Sequence, residues 1–206
     1  LYRQAIAEQC GFRIDGLFGY RFARLDEGLG FSTVSDFDVG GRIAVLEDFR
    51  TLNEFNGGQF GANLHWRRNR WSFNFMSKMA MGYNRMKVGI AGATITTDAL
   101  GARSVFNGGL LAQPEQVGNY SQTEFCINPE LGLNVGYDLT CRLRATVGYS
   151  FLYWSRVARP GDQLSTDLNP NSLPNAVNRI AAPSFPGIQT TDYWAQGLNF
   201  GLEYQF

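Results

Sequence analysis

The sequence predicts an all-β protein, an antiparallel up-and-down transmembrane β-barrel of about eight strands, or up to about twelve with further N-terminal strands. Three observations carry this. Apolar residues alternate with small or polar ones through several segments, aromatic residues gather at segment ends, and the connections alternate between short and long.

The last segment alternates most clearly. Trp194, Leu198, Phe200, Leu202, Tyr204 and Phe206 share one parity, broken only by Gln196. Ala195, Gly197, Asn199, Gly201, Glu203 and Gln205 hold the other. Strand side chains alternate between faces, so one face is greasy and the other small or polar. Upstream, Leu143, Ala145, Val147, Tyr149, Phe151 and Tyr153 oppose Arg142, Arg144, Thr146, Gly148 and Ser150. Phe125 to Tyr137 oppose Glu124 to Gly136, with Glu130 on the polar side. Trp71, Phe73, Phe75, Met79, Met81 and Tyr83 oppose Ser72, Asn74, Lys78, Gly82 and Asn84. Phe60 to Trp66 oppose Gln59 to His65, and Phe12 to Phe22 oppose Arg13, Asp15, Gly19 and Arg21. Leu29 to Ser35 is a weaker strand, and Leu1 to Ile6 is the remnant of another.

Alternation alone does not say whether the apolar face meets a core or lipid. Trp66, Trp71, Tyr83, Tyr137, Tyr153, Trp154, Tyr193, Trp194 and Tyr204 lie at strand ends, as interfacial girdles require. The opposite face is rich in glycine and amides. Connections at residues 25–28, 67–70 and 138–141 are short, whereas outer loops span about residues 36–50, 85–123 and 155–191. Short periplasmic turns and long outer loops characterise outer-membrane barrels. The expected lipid-facing set is therefore Trp194, Phe200, Tyr204, Phe206, Tyr149 and Phe151. The expected lumen-lining set is Arg13, Asp15, Arg21, Lys78, Glu130, Arg142, Arg144 and Glu203.

Composition agrees. The 206 residues suit one domain, read as a single outer-membrane barrel over 1–206. Leu1 is neither an initiator methionine nor the start of a signal peptide, so the chain reads as an N-terminally trimmed piece. The formal charge of zero gives no electrostatic case for nucleic acid. Charged residues make up 17%, below the roughly 25% of soluble domains. No apolar run reaches the ~18 residues of a transmembrane helix, a test that barrel strands escape. Cys10, Cys126 and Cys141 lack metal-ligand spacing; one disulfide is open to them, and the spacing does not choose the pair.

Several strings carry a resemblance: DFRTLNEFNGGQFG from Asp48, FNGGLLAQPEQVGNY from Phe106, NPELGLNVGY from Asn128, GYSFLYWSRVARPGDQL from Gly148 and TDYWAQGLNFGLEYQF from Thr191. Together, from about Asp48 onward, they resemble the beta-barrel porin family of planctomycete outer membranes. The resemblance implies an outer-membrane barrel and supplies no catalytic residues.

The inward charges could line an aqueous pore or form a closed polar plug. A barrel of about eight strands is just filled by its own side chains, whereas more strands leave a channel. Mixed charges in a low-dielectric interior pair to offset desolvation, and Arg142, Arg144 and Glu130 are expected to interact across neighbouring strands. His65, the lone histidine, falls at the periplasmic end, away from any outer-rim hydrolytic site. Residues 88–101 lack the phosphate-loop string, and no paired carboxylates, CxxC or histidine cluster supports a metal, a cofactor or catalysis. The loop at 155–191 holds all but two of the seven prolines, with Pro160-Gly161 a turn signal. The leading function is a passive porin-like channel, or a structural barrel if the lumen is plugged. Its partners are outer-membrane lipids and small solutes. The alternative is an envelope binding or assembly module contacting another protein or a second copy. A soluble lipocalin-like barrel, with its apolar face inside, is the third reading.

Overall fold

The structure, a computed structural model, describes residues 1–38, 40–165, 171, 176 and 178–204. Eight strands make one antiparallel sheet: β1 (Tyr2–Gln9), β2 (Phe12–Asp36), β3 (Arg42–Arg68), β4 (Trp71–Thr97), β5 (Arg103–Asn107), β6 (Gly118–Asp138), β7 (Leu143–Val157) and β8 (Thr191–Tyr204). The order is β1-β2-β3-β4-β6-β7-β8, and β5 pairs with β4 at Ala93–Thr97, where β6 has left that edge. Among the described residues the sheet stays open between β1 and β8. With seven antiparallel strands on the path, those two edges run in the same direction.

The sheet is curled. Arg21 on β2 bonds Glu130 on β6, and the rings of Phe55 on β3 and Trp154 on β7 lie 6.2 Å apart. Each pair has two strands between its partners, a gap of about 14 Å in a flat sheet. The face they share is therefore concave. Gly57 and Gly82, paired across β3 and β4, allow the tight bend: a Cβ on Gly57 would strike the Met81 carbonyl, and one on Gly82 the Asn56 carbonyl.

Faces change character partway along the strands. In the lower stretch of β2, Phe18, Tyr20 and Phe22 are exposed on the convex face, and Asp15 and Arg21 lie on the concave one. Further up the same strand, Arg24 and Asp26 occupy the convex face and Leu25, Leu29 and Phe31 the concave face. β3 changes from convex Phe60 and Trp66 to convex Asp48 and Arg50, with buried Phe49 and Phe55 opposite. β4 changes from convex Trp71 to Tyr83, then to convex Arg85 and Lys87, with Met86, Val88 and Ile90 buried opposite. No register shift interrupts β2–β3 or β3–β4.

The concave face holds two packed clusters, one on the upper stretch and one at the level where the faces change character. Phe49, Met86, Val88 and Ile90 meet Ala112 and Ala158, with Leu111, Leu164, Phe185 and Ile188 against them. Phe55, Ala80, Cys126, Trp154 and Val157 form the second. The connections after β5 and β7 therefore fold inward. Glu47 Oε1 accepts hydrogen bonds from the backbone N–H groups of Leu111 and Ala112, at 2.6 and 2.8 Å. Asn53 accepts from the Ala158 N–H at 2.9 Å and donates to its carbonyl at 2.8 Å. Arg159 grips Glu27 with two parallel bonds of 3.2 and 2.9 Å.

Several sequence expectations are corrected here. The loops expected at 36–50 and 85–123 are mostly strand, because β2, β3 and β4 run 25, 27 and 27 residues. The expected turn at 25–28 lies inside β2, which joins the Phe12 and Leu29 segments into one strand. In each case the apolar parity switches while the backbone stays extended, so a search for one greasy parity stops early. β5 was not anticipated. Trp154 and Tyr193, expected in the aromatic rows, point inward against the second cluster. The turns at 67–70 and 138–141 do join β3 to β4 and β6 to β7, at the same end as Cys10-Gly11.

Replacing the fully buried Phe49 by alanine should destabilise the refolded protein by about 3–5 kcal/mol in denaturant titration. Leu46→Ala, on the exposed convex face of the same strand, should cost less than about 0.5 kcal/mol.

Candidate functional site

The lower concave face gathers charge from seven strands. Strand parity dictates this: Arg13, Asp15 and Arg21 on β2, His65 and Arg67 on β3, Lys78 on β4, Glu130 and Asp138 on β6 and Arg144 on β7 each occupy the inward position. Arg3 on β1 and Glu203 on β8 complete the set.

Three carboxylates organise it, each between two bases. Asp15, fully buried, accepts from Arg3 Nε at 2.7 Å and from Arg13 Nε at 2.8 Å. Glu130 lies between Arg21, at 2.7 Å, and Lys78, at 2.8 Å. Asp138 accepts from Arg144 Nε at 2.6 Å and from an Arg67 terminal nitrogen at 3.0 Å. Removing a carboxylate would leave two like charges facing each other, so each triad depends on its central acid. Beside the Asp15 triad, level with Arg13, the His65 ring contacts Asn63, Asn74 and Arg3, each at 2.7 Å. A hollow of about 540 Å³ runs beside them, lined by Glu8, Arg13, His65, Asn74, Asn134 and Arg144. Above the triads, level with Phe55, Asn84 donates to Asn53 and to the Arg156 carbonyl.

The convex face of the same stretch carries no charge on β2, β3, β4 and β6 from Phe12 to Phe22, Asn56 to Trp66, Trp71 to Tyr83 and Phe125 to Tyr137. Trp71 and Tyr137 rings meet at its lower edge, 4.7 Å apart, and Tyr83 and Phe125 at its upper edge, 5.9 Å apart. The family model described as Putative beta barrel porin-7 (BBP7) matches residues 1–206. The chain belongs to this family. No curated protein and no solved structure matches it.

Within this porin-7 sheet, Arg13, Asp15, Arg21, Lys78, Glu130, Arg144 and Glu203 all occupy the concave face. Arg142 does not join them on a strand. It sits exposed in the β6–β7 turn, where its N–H donates to the Thr140 hydroxyl at 3.2 Å. The expected link among Arg142, Arg144 and Glu130 is absent among the described residues: Arg144 takes Asp138 and approaches Glu203 at 4.0 Å, and Glu130 takes Arg21 and Lys78. Trp194, Phe200, Tyr204, Tyr149 and Phe151 occupy the convex face, the first four well exposed. Phe206 lies outside the described residues. All three cysteines are free. Sequence reading missed Arg3, Arg67 and Asp138. Arg67 shares the parity of His65 and Asp138 that of Gly136, so extending each strand by one or two residues would have found those two.

Arg21→Ala and Glu130→Ala should couple by about 1–3 kcal/mol in a double-mutant cycle of unfolding free energies. Asn53→Ala removes both bonds to Ala158. It should speed tryptic cleavage after Arg156 and leave Arg50, inside β3, as protected as before.

Proposed function

We propose that this chain forms wall of a passive outer-membrane channel whose concave face passes small solutes and favours anions. What carries the reading is the inversion of faces along single strands. In the lower stretch, apolar groups face out and ion pairs face in; in the upper stretch, the sides are exchanged. A strand crossing lipid and then entering water needs that pattern. From Phe12 to Phe22, eleven residues at ~3.3 Å each and a tilt of ~40° span about 28 Å, against an apolar band of about 25 Å in outer-membrane barrels. Trp66, Trp71, Tyr137 and Tyr204 then lie at one membrane interface, and Tyr20, Tyr83, Phe125 and Trp194 at the other, as two aromatic girdles. The short turns face the periplasm, and the long upper strands with their infolded connections project outside.

Across the three triads, six bases face three carboxylates, with Glu8 and Glu203 beside them, an excess of positive charge that supports a mild preference for anions. Protein purified in detergent and added to planar bilayers should give stepwise conductance, and a salt gradient should give a reversal potential on the anion side. Lys78→Gln should shift that potential toward cations. A bilayer that shows no steps at all would remove the channel reading.

A further inference from the structure

The triads account for most of the basic groups on the lower concave face, but not for those at its rim. There, the β3–β4 and β6–β7 turns stand side by side, tied by the hydrogen bond from the Asp138 N–H to the Arg70 carbonyl at 2.8 Å. Between them lies a hollow of about 310 Å³, lined by Arg67, Arg70, Asp138, Arg142, Arg144 and Glu203 together with Thr140, Cys141 and Leu143. Four guanidinium groups thus face two carboxylates. Asp138 holds Arg67 and Arg144 through one nitrogen each; a second Arg144 nitrogen lies 4.0 Å from Glu203, and the remaining donors of the two arginines border the hollow. Arg70 and Arg142 have no carboxylate partner among the described residues, although most other arginines of the chain do. The Thr140 hydroxyl, accepting from the Arg142 and Leu143 N–H groups at 3.2 and 3.0 Å, fixes the turn that presents Arg142.

We propose that this hollow binds a phosphate group: a dianion whose oxygens accept from the Arg70 and Arg142 forks while its charge balances the two excess positive charges. Guanidinium forks match phosphate geometry and make short, charge-assisted bonds with it. The source is a soluble phosphate-bearing solute rather than a lipid headgroup. Arg67, Asp138, Arg144 and Glu203 have concave-face parity, so the hollow opens at the channel mouth, and the Trp71–Tyr137 ring pair lies on the other side of the sheet. Naming the solute this way rests on the channel reading; the binding of phosphate does not.

Cys141, exposed and lining the hollow, reports on it directly, and Cys126 is buried. In protein carrying Cys10→Ser, folded in detergent, Cys141 should react with an anionic methanethiosulfonate faster than with a cationic one, by on the order of tenfold. Inorganic phosphate should slow the anionic reagent more than chloride does at equal ionic strength. Arg70→Ala with Arg142→Ala should abolish both effects. Because these side chains are exposed and unpartnered, that variant should keep the heat-modifiable gel mobility of the folded protein. Equal rates for the two reagents, or no protection by phosphate beyond that of chloride, overturn the proposal. Protection by vesicles containing phosphatidylglycerol, but not by inorganic phosphate, overturns the soluble source. The assay needs no transport, so a failure of bilayer conductance and a failure of phosphate protection are separate results.

Discussion

Alternation of side chains between two faces is imposed by the backbone, and a strand changes it only by inserting a bulge. β2, β3 and β4 run 25 to 27 residues with no shift in their mutual register, yet each borders two different surroundings on each face. The chain meets this by changing residue types at fixed parity. In β2 the even positions turn from Phe18, Tyr20 and Phe22 to Arg24 and Asp26 while the odd ones take up Ala23, Leu25, Leu29 and Phe31, and β4 makes the same exchange between Tyr83 and Met86. A bulge would have re-aimed the side chains at the cost of ladder hydrogen bonds. Exchanging residue types keeps the ladder whole, and the inward glycines Gly57 and Gly82 take the bend close to the same level.

The polar half is organised by the same economy. A lone charge on a half-enclosed concave face is poorly solvated, and a one-to-one pair leaves a neutral wall. Placing each carboxylate between two bases satisfies the acid with two charge-assisted bonds and leaves one positive charge over within each triad, which Glu203 beside Arg144 and Glu8 beside Arg13 partly offset. Asp15 shows the extreme: fully buried, it has donors on both oxygens, and the arginines that supply them remain nearly half exposed. The acids are thus structural and the bases face the interior. Replacing a base should alter the field of the face more than its fold, and replacing an acid should do the reverse.

How much of this was legible in the sequence depended on whether a segment kept one greasy parity. β7, β8 and the lower halves of β2, β4 and β6 did, and there the parity sets holding Phe125, Tyr149 and Phe200 do share one face, the convex one. The upper halves were lost for the same reason. Glu47, Phe49, Thr51, Asn53 and Phe55 alternate with Asp48, Arg50, Leu52 and Glu54, a mixture in which neither parity is wholly apolar, so the stretch looked like loop. Arg21, Lys78 and Glu130 were each assigned to the inward face, but their grouping was not legible: Glu130 was expected beside Arg142 and Arg144 and takes Arg21 and Lys78 instead. Arg3 was hidden because β1 looked like a fragment, and Arg142 was misplaced because alternation was carried one residue too far into a turn.

The infolded connections follow from the inversion. Once Leu29, Phe49, Val88 and Ile90 face the concave side in the upper stretch, that surface has to be covered, and the chain covers it with its own connections. Covering a greasy surface with irregular backbone strands N–H and C=O groups away from water, a cost of roughly 1–3 kcal/mol for each left unpaired. Glu47 and Asn53 meet that cost from within β3. Asn53 is the more telling of the two, because its amide bonds both the N–H and the carbonyl of Ala158, as the backbone of a neighbouring strand would. The connection is thereby docked at a defined level, directly over the polar stretch. The Ala158 backbone therefore hangs over the concave face at the level of Asn53 and Met86, above the triads and the arginine-rich rim.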